Sequence, residues 1–279
     1  MALIAHITDL HLRPPGTLTL GHVDCERFLS AAIARLCAKY PQIDAVMVTG
    51  DLADLGEEGA YQRAVTLLSS FKVPVFVVPG NHDRTGALRR AFSSWPGVRD
   101  TCLPQKVCYR AEAADATLIL LDTSVDGLDR GEHFGTLGDE QLAWLDSALA
   151  GAGPTIIGMH HPPFRSTIGF MDTVDLRDAA AFAAVIARHS NVKRIVCGHV
   201  HRTIVGEVGG VPAMALPGVA HQVELALSPS SPAELVMEPP AFGLHLVSEQ
   251  EAISHVAYVN DYGAPLRFSE LKERAEPAQ

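Results

Sequence analysis

Val75-Phe76-Val77-Val78-Pro79-Gly80-Asn81-His82-Asp83 is the stretch on which the reading of this chain turns. The apolar run 73–78 ends in Pro-Gly, and the turn then delivers Asn, His and Asp in succession. A short continuous apolar run bounded by turn residues is a strand buried on both faces. Asn and Asp have turn roles of their own, but histidine has none, so His82 needs another reason to stand there. The same grammar recurs along the chain. Run 2–7 leads to Asp9-Leu10-His11, run 45–48 to Gly50-Asp51, run 155–159 to His160-His161-Pro162-Pro163, and run 194–197 to Gly198-His199-Val200-His201. A sixth run spans 118–121.

Between the runs lie helical patterns. Phe28, Leu29, Ala32, Ile33, Leu36 and Cys37 keep a 3.6-residue period, as do Leu142, Leu145 and Leu149, and 179–189 is a third candidate. Strands alternating with helices make an α/β layered domain with helices outside the sheets. In such a fold, ligands bind at the rim beyond the carboxyl ends of the strands. Each fragment alone has an ordinary use: Asp-x-His as a capping pair, Gly-Asp as a turn, the double histidine as a satisfied pair in a rigid corner. Five of them at five strand ends gather carboxylate, imidazole and amide ligands on one rim, which is the donor set of a metal site without thiolate.

Composition bounds the partners. The chain has 279 residues, 47% apolar and 19% charged, which is globular and neither disordered nor collagen-like. Its formal charge of −10 argues against nucleic-acid polymers and anionic membranes as partners. A phosphate substrate would need positive charge from elsewhere. No window approaches the ~20 apolar residues of a membrane span, and the N-terminus lacks the basic and apolar regions of a signal peptide, so a cytoplasmic protein is expected. Five cysteines without Cys-x-x-Cys spacing suggest free thiols, with pairing of Cys102 and Cys108 left open. At 227–232 the sequence Leu-Ser-Pro-Ser-Ser-Pro breaks the texture, dividing a core of residues 1–222 from an appendage, 223–279, that holds strands near 243–247 and 253–259 and a polar tail from 267.

Asp-x-His, Gly-Asp, Gly-Asn-His-Asp, a later His and Gly-His-x-His, in this order, resemble the calcineurin-like metallophosphoesterases. Residues 5–9 (Ala-His-Ile-Thr-Asp), 159–163 (Met-His-His-Pro-Pro) and 216–223 (Leu-Pro-Gly-Val-Ala-His-Gln-Val) narrow the resemblance to the class III cyclic nucleotide phosphodiesterase group, and within it to bacterial glycerophosphodiesterases. The resemblance implies a four-layer α/β/β/α sandwich with a C-terminal β appendage. It implies two divalent ions (Fe, Mn, Zn or Co), one held by Asp9, His11, Asp51 and His201 and the other by Asp51, Asn81, His160 and His199, with Asp51 bridging. The activity it implies is hydrolysis of small phosphodiesters, cyclic nucleotides or glycerophosphodiesters, by a metal-bound hydroxide. His82 would act on the phosphoryl or leaving oxygen with Asp83 behind it, and Asn81, His82 and His221 would face substrate. Arg84, Ser124 and Arg165, in loops after motif strands, are further candidates for a phosphate contact. A phosphomonoesterase or protein phosphatase of the same superfamily, or a non-catalytic scaffold, are the alternatives; a DNA-repair nuclease would bring long insertions and a basic groove, and neither is present. A homodimer or higher homo-oligomer built through residues 223–279 is also implied.

Overall fold

The computed structural model describes residues 1–127, 132–228 and 230–269. The last ten residues of the polar tail therefore lie outside the described residues. Two sheets face each other, with helices on both outer sides. The first sheet is built from β1 (Ala2–Ile7), β2 (Ala45–Thr49) and β3 (Val75–Val78), parallel to one another, joined by α1 (Cys25–Lys39) and α2 (Glu58–Leu68), and followed by α3 (Thr85–Ala91). Every residue of β2 and β3 is buried, as their unbroken apolar runs require. The second sheet takes β4 (Tyr109–Ala113), β5 (Ala116–Leu121), β6 (Thr155–Met159), β7 (Val192–Cys197), β8 (Ile204–Val208) and β9 (Val211–Ala215), in the order β4-β5-β6-β7-β9-β8. Its outer face carries α4 (Gly138–Leu149) and α5 (Ala179–Ile186).

Strand periodicity divides the core in two. Leu118, Leu120, Ile156 and Val196 share one buried cluster with the first sheet, whose Met47 and Phe76, paired in register, face the second sheet. Their neighbours Ile119, Leu121, Ile157, Met159, Ile195 and Cys197 point the other way, onto Leu142, Leu145, Phe182 and Ile186 of α4 and α5. At Gly158 a Cβ would stand 2.3 Å from the terminal methyl of Met47, so the bare glycine leaves room for that side chain between β6 and β2.

The C-terminal strands are not set apart from this core. β10 (Gln222–Val223) and β11 (Leu235–Val236) form a small hairpin, while β12 (Ala241–Val247) and β13 (Ala252–Tyr258) complete the first sheet in the order β13-β12-β1-β2-β3. β12 pairs antiparallel with β1 from Ala2↔Val247 to His6↔Gly243. Phe242, Leu244 and Val259 of the segment read as an appendage are buried against the chain's own core. Apolar alternation reveals that a segment is a strand but not which open edge receives it. All five cysteines carry free thiols, including Cys102 and Cys108. No helix among the described residues is long and apolar enough to cross a membrane.

Candidate metal centre

The loops after β1, β2, β3, β6 and β7 converge between the two sheets, and the five predicted motifs meet there. The backbone first fixes the side chains. The loop after β1 runs along the loop after β2, with His11 N–H donating to Asp51 O at 2.8 Å and Leu12 N–H to Leu52 O at 3.0 Å. Of eight non-glycine residues with positive φ among those described, five are candidate ligands: Asp9 (54°), His11 (43°), Asp51 (51°), His199 (70°) and His201 (47°). A left-handed residue with a side chain costs on the order of 1–3 kcal/mol, so five at one place are held by the surrounding fold and mark a functional centre. Gly80 lets the third loop reach the second, since a Cβ there would stand 2.2 Å from Asp51 Oδ1.

Hydrogen bonds then fix which ring nitrogen of each histidine faces inward. His201 donates Nδ1–H to the carbonyl of His221 (2.9 Å) and His160 donates Nδ1–H to that of Thr49 (2.8 Å). His11 donates Nδ1–H to the Asp54 carboxylate (3.1 Å), and His199 donates Nε2–H to the carbonyl of Val174 (3.0 Å). In a neutral imidazole the other nitrogen is then a lone pair.

Two groups of acceptors result. His11 Nε2 and His201 Nε2 stand 3.1 Å apart, with Asp51 Oδ2 3.4 Å from the first and Asp9 Oδ1 3.3 Å from the second. Asp9 Oδ2 is buried and has no hydrogen-bond partner among the described residues. The ligand atoms of Asp9, His11, Asp51 and His201 all lie within 4.8 Å of one another. In the second group, Asn81 Oδ1 lies 3.0 Å from His160 Nε2 and 2.8 Å from His199 Nδ1, and Asp51 Oδ2 lies 3.4 Å from His160 Nε2. Buried lone pairs at such distances repel unless protons or cations sit among them. The donor set thus fits two oxygen- and nitrogen-ligated cations, with Asp51 common to both groups.

The titrations agree in direction. Although burial opposes ionisation, the facing histidines hold Asp9 and Asp51 well below the usual carboxylate range. Burial pulls His160 down, but the charges of Asp51 and Asp9 outweigh it and raise the ring to about 9. Burial, then His161 and His160, keep His199 well below its ordinary value.

The remaining predicted residues divide. His82 is partly exposed at the cavity and donates Nδ1–H to the carbonyl of Asp54 (2.8 Å), leaving Nε2 for a ligand. Its backbone N–H donates to Asp51 Oδ1 (2.9 Å). His221 packs its ring 4.7 Å from that of His201 and lines the same cavity, with Nδ1 buried and without a hydrogen-bond partner among the described residues. Burial and the neighbouring imidazoles push it down to about 2. Asp83 does not stand behind His82 as the sequence reading places it. Its carboxylate accepts from the N–H groups of Leu52 (3.1 Å), Ala53 (3.0 Å) and Gly80 (2.9 Å), which ties the second loop to the third, while the carbonyl of Asp54 orients His82. Burial and the charge of Asp51 push Asp83 up to about 6. Arg84, Ser124 and Arg165 do not line the cavity. Ser124 is turned to Asp122 (2.6 Å), and Arg165 lies 3.5 Å from Asp172.

Two residues of the site escape sequence reasoning. Asp54 fixes His11, and its only signal is its nearness to Gly50-Asp51. His133 accepts from Asn81 Nδ2 at 3.0 Å, which turns Asn81 Oδ1 toward His160 and His199, and its ring stacks on His82 at 5.1 Å. It belongs to no motif and follows no strand directly.

Comparison with known proteins agrees with this geometry. The calcineurin-like phosphoesterase family matches residues 2–203. A "probable cyclic nucleotide phosphodiesterase" of Rhodopseudomonas palustris is 36% identical over 253 residues, covering 89% of each chain. A "probable glycerophosphodiester phosphodiesterase" of Arcobacter nitrofigilis is 28% identical over 270 residues, covering 95% of this chain and 96% of its own. Among solved structures, a dimetal phosphatase from Danio rerio superposes with a TM-score of 0.63 at 17% identity, covering 91% of this chain and 98% of that one, a likeness of fold.

Proposed function

The chain belongs to the calcineurin-like phosphoesterase family, and from that premise we propose that it hydrolyses small phosphodiesters, 3′,5′-cyclic nucleotides or glycerophosphodiesters, with two divalent ions. The observation that carries the reading is the pair of buried acceptor groups sharing Asp51. Asp9, His11, Asp51 and His201 would hold one ion and Asp51, Asn81, His160 and His199 the other, with Fe, Mn, Zn and Co all suited to such ligands. When bound, the ions supply the positive charge that an acidic chain lacks, polarise the phosphoryl group and activate water.

The chain's own groups do the rest. His82, anchored at Nδ1, presents Nε2 to a phosphoryl or leaving oxygen, and in its imidazolium form it can pass the Nε2 proton to an alkoxide and return to the neutral ring. His133 and Asp54 hold Asn81 and His11 in register, and His221 lines the cavity beside His11 and His201. Substrate is a diester because, among the described residues, no Lys or Arg lines the cavity to balance the second charge of a monoester. The names of both relatives support the same class.

A panel of bis-para-nitrophenyl phosphate, para-nitrophenyl phosphate, cAMP and glycerophosphoethanolamine with metal-reconstituted protein tests this. The bis ester should have the higher kcat/KM of the two chromogenic substrates across pH 6–9, with free phosphate inhibiting. A more efficient monoester would make the protein a phosphomonoesterase instead.

A further inference from the structure

Above the acceptor groups the cavity opens to about 460 Å³, and its walls differ in character from its floor. Three separate segments supply apolar side chains: Leu20 from the loop after β1, Phe170 and Val174 from the loop after β6, and Val223 and Leu235 from the β10–β11 hairpin. The charged residue in these walls is Glu234, which accepts hydrogen bonds and repels anions.

Leu20 is the informative residue. It is 64% exposed and belongs to neither core cluster, yet it is held at φ 51°. Nothing in folding requires a leucine there. Its neighbour Thr19 is buried, pairs with Val23 in both directions at 2.9 Å, and donates its hydroxyl to the carbonyl of His11 at 2.6 Å. The loop that carries Leu20 is therefore pinned to a candidate ligand while its tip spends apolar surface at the cavity. Leu235, also exposed, reaches the same cavity from a hairpin that begins directly after His221.

An apolar wall of this kind gains affinity only from a ligand with an apolar face, because only such a face releases water from both surfaces. Glycerol, with hydroxyls on every carbon, has none to offer. A nucleobase has two planar faces and edge N–H donors that suit a carboxylate such as Glu234.

Resting on the phosphodiesterase reading above, we propose that Leu20, Phe170, Val174, Val223 and Leu235 form a subsite for the planar ring of a nucleotide. Of the two diester classes, the cyclic nucleotide is then the one this chain is shaped to hydrolyse.

The test compares metal-loaded wild type with Leu20→Asn, since asparagine tolerates positive φ, and with Leu235→Thr, which keeps a strand former. The ratio of kcat/KM for cAMP over glycerophosphoethanolamine should exceed about tenfold in the wild type and fall about five- to tenfold in each variant, the effect of losing one buried aliphatic contact. A wild-type ratio below one, or a ratio that neither substitution moves, overturns the subsite. Isothermal titration gives a readout independent of turnover, with adenosine monophosphate expected to bind about tenfold more tightly than glycerol 3-phosphate and the difference to shrink in both variants. If no diester is hydrolysed at all, the phosphodiesterase reading falls while this titration still decides the subsite, and equal affinities in the wild type end it.

Discussion

Asp51 bears more of the site than any other residue. Its Oδ2 faces both His11 and His160, its Oδ1 accepts from the backbone of His82, and its own backbone is left-handed. Asp51→Ala should therefore lower metal content from two ions per chain to one loosely held ion or none, measured by elemental analysis after gel filtration. Two tightly bound ions with full activity would refute the bridging assignment. His82 is the counter-case, because its ring is anchored outside both acceptor groups. His82→Ala should keep both ions while kcat falls roughly 10²–10⁴-fold, the usual loss on removing a general acid or oxyanion donor. Unchanged turnover would end that role. Both residues were legible in the sequence because each stands in a dense motif at a strand end. Asp83 was legible as a site residue but not as the tie between two loops, since hydrogen bonds to backbone N–H groups leave no sequence mark. His133 was not legible, because a lone histidine between motifs carries no local signal until Asn81 is seen beside it.

Elements follow a similar division. The parallel strands and the helices α1, α4 and α5 announce themselves through unbroken apolar runs or a 3.6-residue period. α2 and the edge hairpin β8–β9 do not, the hairpin because every second residue of β8 faces solvent. The placement of β12 beside β1 has a consequence of its own. It brings His245 onto the same face as His6, ring centroids 5.6 Å apart, both fully buried. Burial lowers His6 to about 3 and takes His245 well below its ordinary value. In the unfolded chain each binds a proton near pH 6.5, whereas in the folded chain neither does until much lower pH. Stability is thus full above pH 6.5 and lost as pH falls toward 3, by up to about 1.4 kcal/mol per pH unit for each histidine. Urea unfolding at pH 7.0 and 5.0 should show a smaller drop in His6→Gln than in the wild type, because glutamine does not titrate. An equal drop in both would mean that the histidine is already charged in the folded chain.

For the whole molecule, charge and exposed apolar surface pull in opposite directions. Of fourteen large hydrophobic residues exposed among those described, nine lie beyond residue 222, in about a fifth of the sequence. Leu225, Leu227 and Met237 flank the small hairpin, and Tyr258, Tyr262, Leu266 and Phe268 follow one another toward the C-terminus. Monomers seldom leave apolar surface so concentrated, and a second copy of the chain would cover it most simply through a two-fold contact. The inner residues Phe242 and Leu244 are already satisfied within the chain, so the proposed contact uses the outer ones. Against it stands a formal charge of −10 on each copy, a repulsion that salt screens within about 10 Å at 0.1 M while apolar contact is left intact. Light scattering at micromolar concentration should therefore give at least a dimer, whose share rises between 0.05 and 0.5 M salt, and truncation after residue 260 should shift it toward monomer without unfolding β12 or β13. A monomer at every salt concentration would show that the chain does not associate through this surface, and a dimer that salt dissociates would show that charge pairs, not apolar burial, govern association.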